Sequence, residues 1–167
     1  MKNLFLALLS LFLFSCSDKG GDSNSNISLF NDCTFRLHHG ELLKESSTAS
    51  QKLYEQYFNN TSIQIPLFKH IEHTGYDIFV GVPVSTSVEG ISKAVLKAHN
   101  SSLDNFKIDK NYCFNRYIVK GVYFTELAIK IDDKSLFYIS STTSNKLFAD
   151  SLLNFRDLSK RISKGGM

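Results

Sequence analysis

Tryptophan is absent, proline occurs twice and glycine nine times in the 167 residues. So few breakers, beside 14 phenylalanines and seven tyrosines, exclude a disordered or collagen-like chain and leave enough apolar surface for a packed core. Neither sign of charge dominates: 19 Lys and Arg stand against 16 Asp and Glu, a net charge of +3. That balance offers no electrostatic footprint for nucleic acid. Only three cysteines occur, Cys16, Cys33 and Cys113, and no C-x-x-C is present, so they do not form a local metal or redox pair. No apolar run reaches the ~20 residues that a membrane-spanning helix needs. A G-x-S-x-G elbow, a phosphate loop and a dinucleotide fingerprint are missing as well.

What is present begins at the first residues. Lys2 precedes an apolar run from Leu4 to Phe14 that only Ser10 interrupts. At ~1.5 Å per residue this covers about half of a hydrocarbon core, the length of an export-signal h-region. Leu13-Phe14-Ser15-Cys16 follows, and "LFSC" resembles the lipobox of bacterial lipoproteins. The resemblance implies cleavage before Cys16, diacylation of its thiol and acylation of the new amino group. Residues 1–15 are then a cleaved signal peptide. Residues 16–26, polar after the cysteine, make a lipidated tether with a mean reach of about 18 Å. Asp18 does not directly follow the cysteine, and the sorting rule of some Gram-negative lipoproteins then implies the outer membrane, on its periplasmic or surface face.

Residues 27–167 are long enough for one domain with a single core. With Lys2 gone the mature chain keeps 18 basic and 16 acidic residues. In an oxidising envelope Cys33 and Cys113 are natural disulfide partners, and a bridge closing their loop contributes ~4–5 kcal/mol in a chain-entropy model. The other reading is two separately buried thiols acting as small apolar side chains.

Alternation predicts a strand over 33–43, with Phe35 and Leu37 inward. Leu53, Tyr54, Tyr57 and Phe58 predict a helix behind a serine-rich start. Ile63, Ile65 and Leu67 predict a strand that Pro66 confines to a sheet edge. "YDIFVGVPV" (76–84) predicts another, followed by a helix with Thr86 and Glu89 at capping-box spacing and Val88, Ile91 and Val95 as its stripe. From Asn105 the chain reads as a β-meander, turning at Lys120-Gly121 and at 132–134. Residues 144–162 read as one helix, capped by Ser144, with the stripe Phe148, Leu152, Phe155 and Ile162 and with Lys160, Arg161 and Lys164 at its cationic end.

The expected fold is therefore α+β: a single antiparallel sheet with two to three helices packed on it. The order "YDIFVGVPV", capped helix, meander, "KLFADSLLNFRDLSKRI" resembles the PsbP-like fold over residues 62–163. That resemblance implies a binding or assembly factor rather than an enzyme.

Candidate chemistry is sparse. His70, Glu72 and His73 could share a metal if their stretch were helical, but between Pro66 and Gly75 it reads as a loop. His38 and His39 on a strand point to opposite faces. The serine clusters fall where helices start, and capping explains them. No catalytic residue and no cofactor is expected. The leading reading is a membrane-anchored, non-enzymatic binding or assembly module of the cell envelope. It is held to the bilayer by acyl chains on Cys16 and partners another envelope or exported protein, not nucleic acid. The alternatives are an immunity-type lipoprotein that occludes an exported toxin, and a small hydrolase or metal-dependent enzyme using His70, Glu72 and His73.

Overall fold

The computed structural model describes residues 25–44, 63–84, 87–99 and 103–165, together with Lys52 and Glu55. The lipobox at Cys16, most of the helix expected around Leu53–Phe58, and Thr86 of the capping box lie outside the described residues.

A seven-stranded antiparallel sheet forms the centre. Its strands are β3 (Leu42–Lys44), β4 (Leu67–His73), β5 (Tyr76–Val82), β6 (Leu103–Asp109), β7 (Tyr112–Val119), β8 (Val122–Asp132) and β9 (Ser135–Thr143), in the spatial order β3-β4-β5-β9-β8-β7-β6. The meander stands as the turn residues indicate. Lys120 and Gly121 carry φ values of 50° and 79°, which suit the two-residue type I′ turn that fits strand twist, and Val119 opposes Val122 across it.

A single sheet is not what forms. A second, three-stranded antiparallel sheet packs on one face of the first, in the order β1-β2-β10, from β1 (Asn26–Ser28), β2 (Cys33–Arg36) and β10 (Ile162–Lys164). The segment expected as one strand over 33–43 is thereby divided between sheets. His38 to Gly40 turns the corner, with Gly40 at φ 80° and the Glu41 amide bonded to the His38 carbonyl at 3.1 Å. The fold class is α+β with two sheets.

Three helices complete the described part. On one face, α1 (Val88–His99) buries Val88, Ile91 and Val95 against Cys113, Ala128 and Tyr138. The sequence stripe is confirmed, and Ser87 caps the start by accepting the Gly90 amide at 3.1 Å. On the other face, α2 (Lys146–Ser151) and α3 (Phe155–Ser159) lie beside the small sheet. They replace the one long helix expected over 144–162. Asn145, not Ser144, caps α2, and Asn154 caps α3 by accepting the Asp157 amide at 2.9 Å. A fresh N-cap inside the apparent stripe starts a new helix, and Ile162 enters β10 opposite Phe35. The strand expected over 63–67 also shifts. Ile63 and Ile65 are buried before the strand, and β4 begins at Leu67, between β3 and β5 rather than at an edge.

The main core lies between the two sheets and includes Phe35, Ile71, Ile78, Phe114, Leu127, Phe137, Ile139 and Leu158. No described helix is long and apolar enough to cross a membrane.

Candidate functional site

The two folded-domain cysteines are not brought together. Cys33 in β2 belongs to the core between the sheets, whereas Cys113 in β7 belongs to the cluster under α1. Strand alternation sends Cys113 and its neighbour Phe114 to opposite faces, so the thickness of the large sheet separates the thiols. Both are free and buried. Burial, then the nearby Asp132 carboxylate, pushes the Cys33 thiol up. Burial pushes Cys113 up to about 11 against a hydrogen bond from Ser92. Both therefore carry their protons at neutral pH and are poor nucleophiles.

His70, Glu72 and His73 do not converge either, because the stretch is strand β4 and not a loop. His70 and Glu72 point to the α1 face and His73 to the other. His70 bonds Asp77 through Nε2 at 2.8 Å and stacks on Phe79 at 4.6 Å. Glu72 pairs with Lys44 at 2.5 Å. His73 stacks on Tyr76 at 4.4 Å, and its Nδ1 accepts the Gly75 amide at 3.1 Å. Among the described residues no group of His, Cys, Asp and Glu has metal-binding geometry.

What the structure does assemble is a buried ionic cluster where β2, β5, α3 and the chain before β10 meet. Arg161 has a fully buried side chain. Its Nη2 donates to Glu41 Oε2, its Nε to the Arg36 carbonyl at 3.0 Å, and its guanidinium lies 4.4 Å over the Phe35 ring. Glu41 also accepts the Tyr76 hydroxyl at 2.7 Å and the His38 amide at 2.8 Å. Asp157 approaches His38 Nε2 at 3.4 Å and Arg161 Nη1 at 3.7 Å. Burial raises the Glu41 carboxyl, but the Arg161 charge and the three hydrogen bonds outweigh it and hold Glu41 below its ordinary range. For Asp157, burial prevails over the attraction of His38 and Arg161, and its carboxyl is raised. Burial and the Glu41 carboxylate push the Tyr76 hydroxyl far up. Arg161 Nη1 and Asp157 Oδ2 are buried without a hydrogen bond, but the bonds that Glu41 and the rest of Arg161 make fasten β2 to the large sheet. No local signal announced it, since Glu41 and Arg161 are 120 residues apart.

A second buried carboxylate, Glu126 in β8, accepts Asn115 Nδ2 at 2.9 Å and the Tyr117 hydroxyl at 3.0 Å. It is 0 % exposed and ties β7 to β8.

Two of the surface grooves among the described residues are wide enough to take a ligand. One, of about 800 Å³, lies between the start of α1 and the β6–β7 and β8–β9 turns, and its lining mixes Lys110, Lys130 and Lys134 with Asp109, Asp132 and Asp133. These charges answer one another: Lys130 pairs with Asp133 at 2.7 Å, and Lys164 reaches in to Asp132. The Lys164 ammonium and the Lys134 amide hold the Asp132 carboxyl well below its usual range. Its ionised form therefore stabilises the fold above the ordinary carboxylate pKa of ~3.9, and that contribution fades as pH falls below it. Asp132→Asn is expected to flatten the acid side of the stability curve while leaving the two-sheet fold intact, and denaturant titrations at pH steps below neutrality check this.

The other groove, of about 600 Å³, lies between β6, β7 and α3 and is lined by Lys107, Arg116, Arg156 and Lys160, with Asn105 and Asn154, and by no carboxylate. Arg116 is occupied by Asp104 at 2.5 Å and Asp150 at 2.7 Å.

Compared with known proteins, the chain matches no family model, no curated protein and no solved structure.

Proposed function

We propose that this protein is a lipoprotein of the cell envelope, anchored through acyl chains on Cys16, whose folded domain is a non-enzymatic binding or assembly module for another envelope or exported protein. The observation that carries the reading is the leader itself: one basic residue, an apolar run half the length of a membrane span, then Leu13-Phe14-Ser15-Cys16. Eight residues lie between Cys16 and Ser25, so the domain sits within about 30 Å of its anchor. Two or more acyl chains hold such a domain firmly, where one would bind only marginally.

The non-enzymatic half is supported by what the candidate residues already do: His70, Glu72, His73 and both buried thiols are spent on packing and pairing. We read the fold as PsbP-like. The order β5, α1, the β6–β9 meander and α2 supports this, and the small sheet is an addition to that pattern. Asp18, removed by one residue from the cysteine, favours the outer membrane.

Cys16→Ser is expected to leave an uncleaved precursor with no acyl mass. Mass spectrometry of the product and fractionation of membranes check this. A variant that still matures and partitions into membranes as before overturns the anchoring.

A further inference from the structure

We propose that the basic groove between β6, β7 and α3 binds the phosphate of anionic lipid headgroups in the bilayer that carries the anchor. Lys107, Arg156 and Lys160 supply the charge, and Asn105 supplies an amide donor. The inference rests on the lipoprotein reading.

Three observations lead to it. The first is the one-signed lining. Lys107, Arg156 and Lys160 are exposed, and none has an ion-pair partner among the described residues. Every other cation of the two grooves except Lys110 and Lys134 has one. The second is order. Lys107 lies 5.4 Å over the Phe155 ring, and Asn154 caps α3 and bonds the Asp150 and Ser151 carbonyls at its start, so the groove wall and one of its cations are placed before a ligand arrives. The third is position. The Leu37 amide bonds the Ser25 carbonyl, and the Arg36 amide bonds the Arg161 carbonyl. Asn26, Arg36 and Arg161 therefore form a row across the small sheet, and Lys160 precedes Arg161 at the end of α3. At ~4.8 Å between strands, the backbone of Arg161, next to Lys160, sits about 10 Å from Asn26, where the leader joins the domain. Acyl chains on Cys16 bring that corner to the bilayer surface, where the exposed Arg36 adds to the same positive rim. Cations near an anionic surface each strengthen attachment about fivefold, and the effect decays within a Debye length. The domain is thus held by two signals and oriented with α3 toward the lipid.

The test is amide hydrogen exchange on the mature lipidated protein, extracted from its membrane and reconstituted in two vesicle types: phosphatidylcholine alone, and phosphatidylcholine mixed with phosphatidylglycerol. Exchange across 105–107 and 154–160 is expected to slow about fivefold or more only in the anionic vesicles. The protection is expected to vanish in ~1 M salt, where the Debye length is about 3 Å. Lys107→Glu/Lys160→Glu is expected to abolish it with an unchanged melting temperature, and Arg156→Glu alone provides a milder second variant. Equal exchange in both vesicle types overturns the proposal. So does equal protection by inorganic phosphate without vesicles, which assigns the groove to a soluble anion. Failure of the protein to stay on pure phosphatidylcholine overturns the anchoring instead, and the anionic vesicles added to that unanchored protein still decide the groove.

Discussion

Arg161→Met is expected to lower the stability of the domain by about 3–5 kcal/mol, the usual consequence of removing one partner from a buried ion pair. Methionine keeps most of the stem volume against Phe35, so the loss comes from the charge. Glu41 would remain buried with only the Tyr76 hydroxyl and the His38 amide facing it. Against a total stability of about 5–15 kcal/mol this is a large fraction, and the urea midpoint should fall accordingly. The pH dependence identifies the cause. In the parent, Glu41 titrates below its ordinary range, so its contribution is present above that range and is lost as pH falls through its folded pKa. In the variant, burial prevails and its pKa moves above the ordinary value. Stability is then lost as pH rises through that folded pKa, and the gap between the two proteins narrows in acid. Arg161→Met/Glu41→Gln should recover part of the loss at neutral pH. A neutral-pH loss under about 1 kcal/mol, or a gap that widens in acid, contradicts the account.

Gly81→Ala is expected to destabilise by about 2–3 kcal/mol, against the ordinary rule that alanine in a strand is preferable to glycine. Gly81 sits in β5 between Phe68 and Tyr138. A Cβ there would stand 2.3 Å from Ile65 Cγ2, 2.5 Å from the Leu67 carbonyl oxygen and 3.0 Å from Phe68 Cβ. The carbonyl belongs to β4 and cannot retreat without carrying that strand away from β5. At Gly75 the obstacle is the Phe148 ring, 2.4 Å from the added atom, and an aromatic ring on a short helix can turn aside. Gly75→Ala should therefore cost less than Gly81→Ala. Equal losses in thermal melts of the two variants would show that β4 yields as easily as a side chain.

The parts of the fold legible in the sequence are those set by neighbours. Lys120-Gly121 marks its own turn, and Val88, Ile91 and Val95 declare the buried face of α1. Elements set by distant partners were not legible. Ile162 continued the spacing of Phe148, Leu152 and Phe155, and only its pairing with Phe35 makes it a strand residue. Arg161 read as a solvated cation at a helix end, yet it is the largest fully buried side chain among the described residues. Its partner Glu41 follows His38, His39 and Gly40 in the sequence, with nothing nearby to suggest burial. Polar residues on both faces of β4 concealed its alternation, so Lys69, His70 and Glu72 looked like a loop between a proline and a glycine. The basic groove draws its cations from segments some 50 residues apart, and no local pattern could have gathered them.

The small sheet is sewn from both extremities of the described chain, with β1 and β10 clasping β2. A polypeptide that emerges from the ribosome amino end first can fold the β6–β9 hairpins as they appear. The last of the described strands, β10, and Arg161 just ahead of it arrive only after every other described element. Until then Glu41 has no guanidinium and the face of Ile71, Ile78 and Leu127 is uncovered on that side. Completion of the core thus waits for β10, and a chain cut short before residue 161 would be left with its hydrophobic interior open.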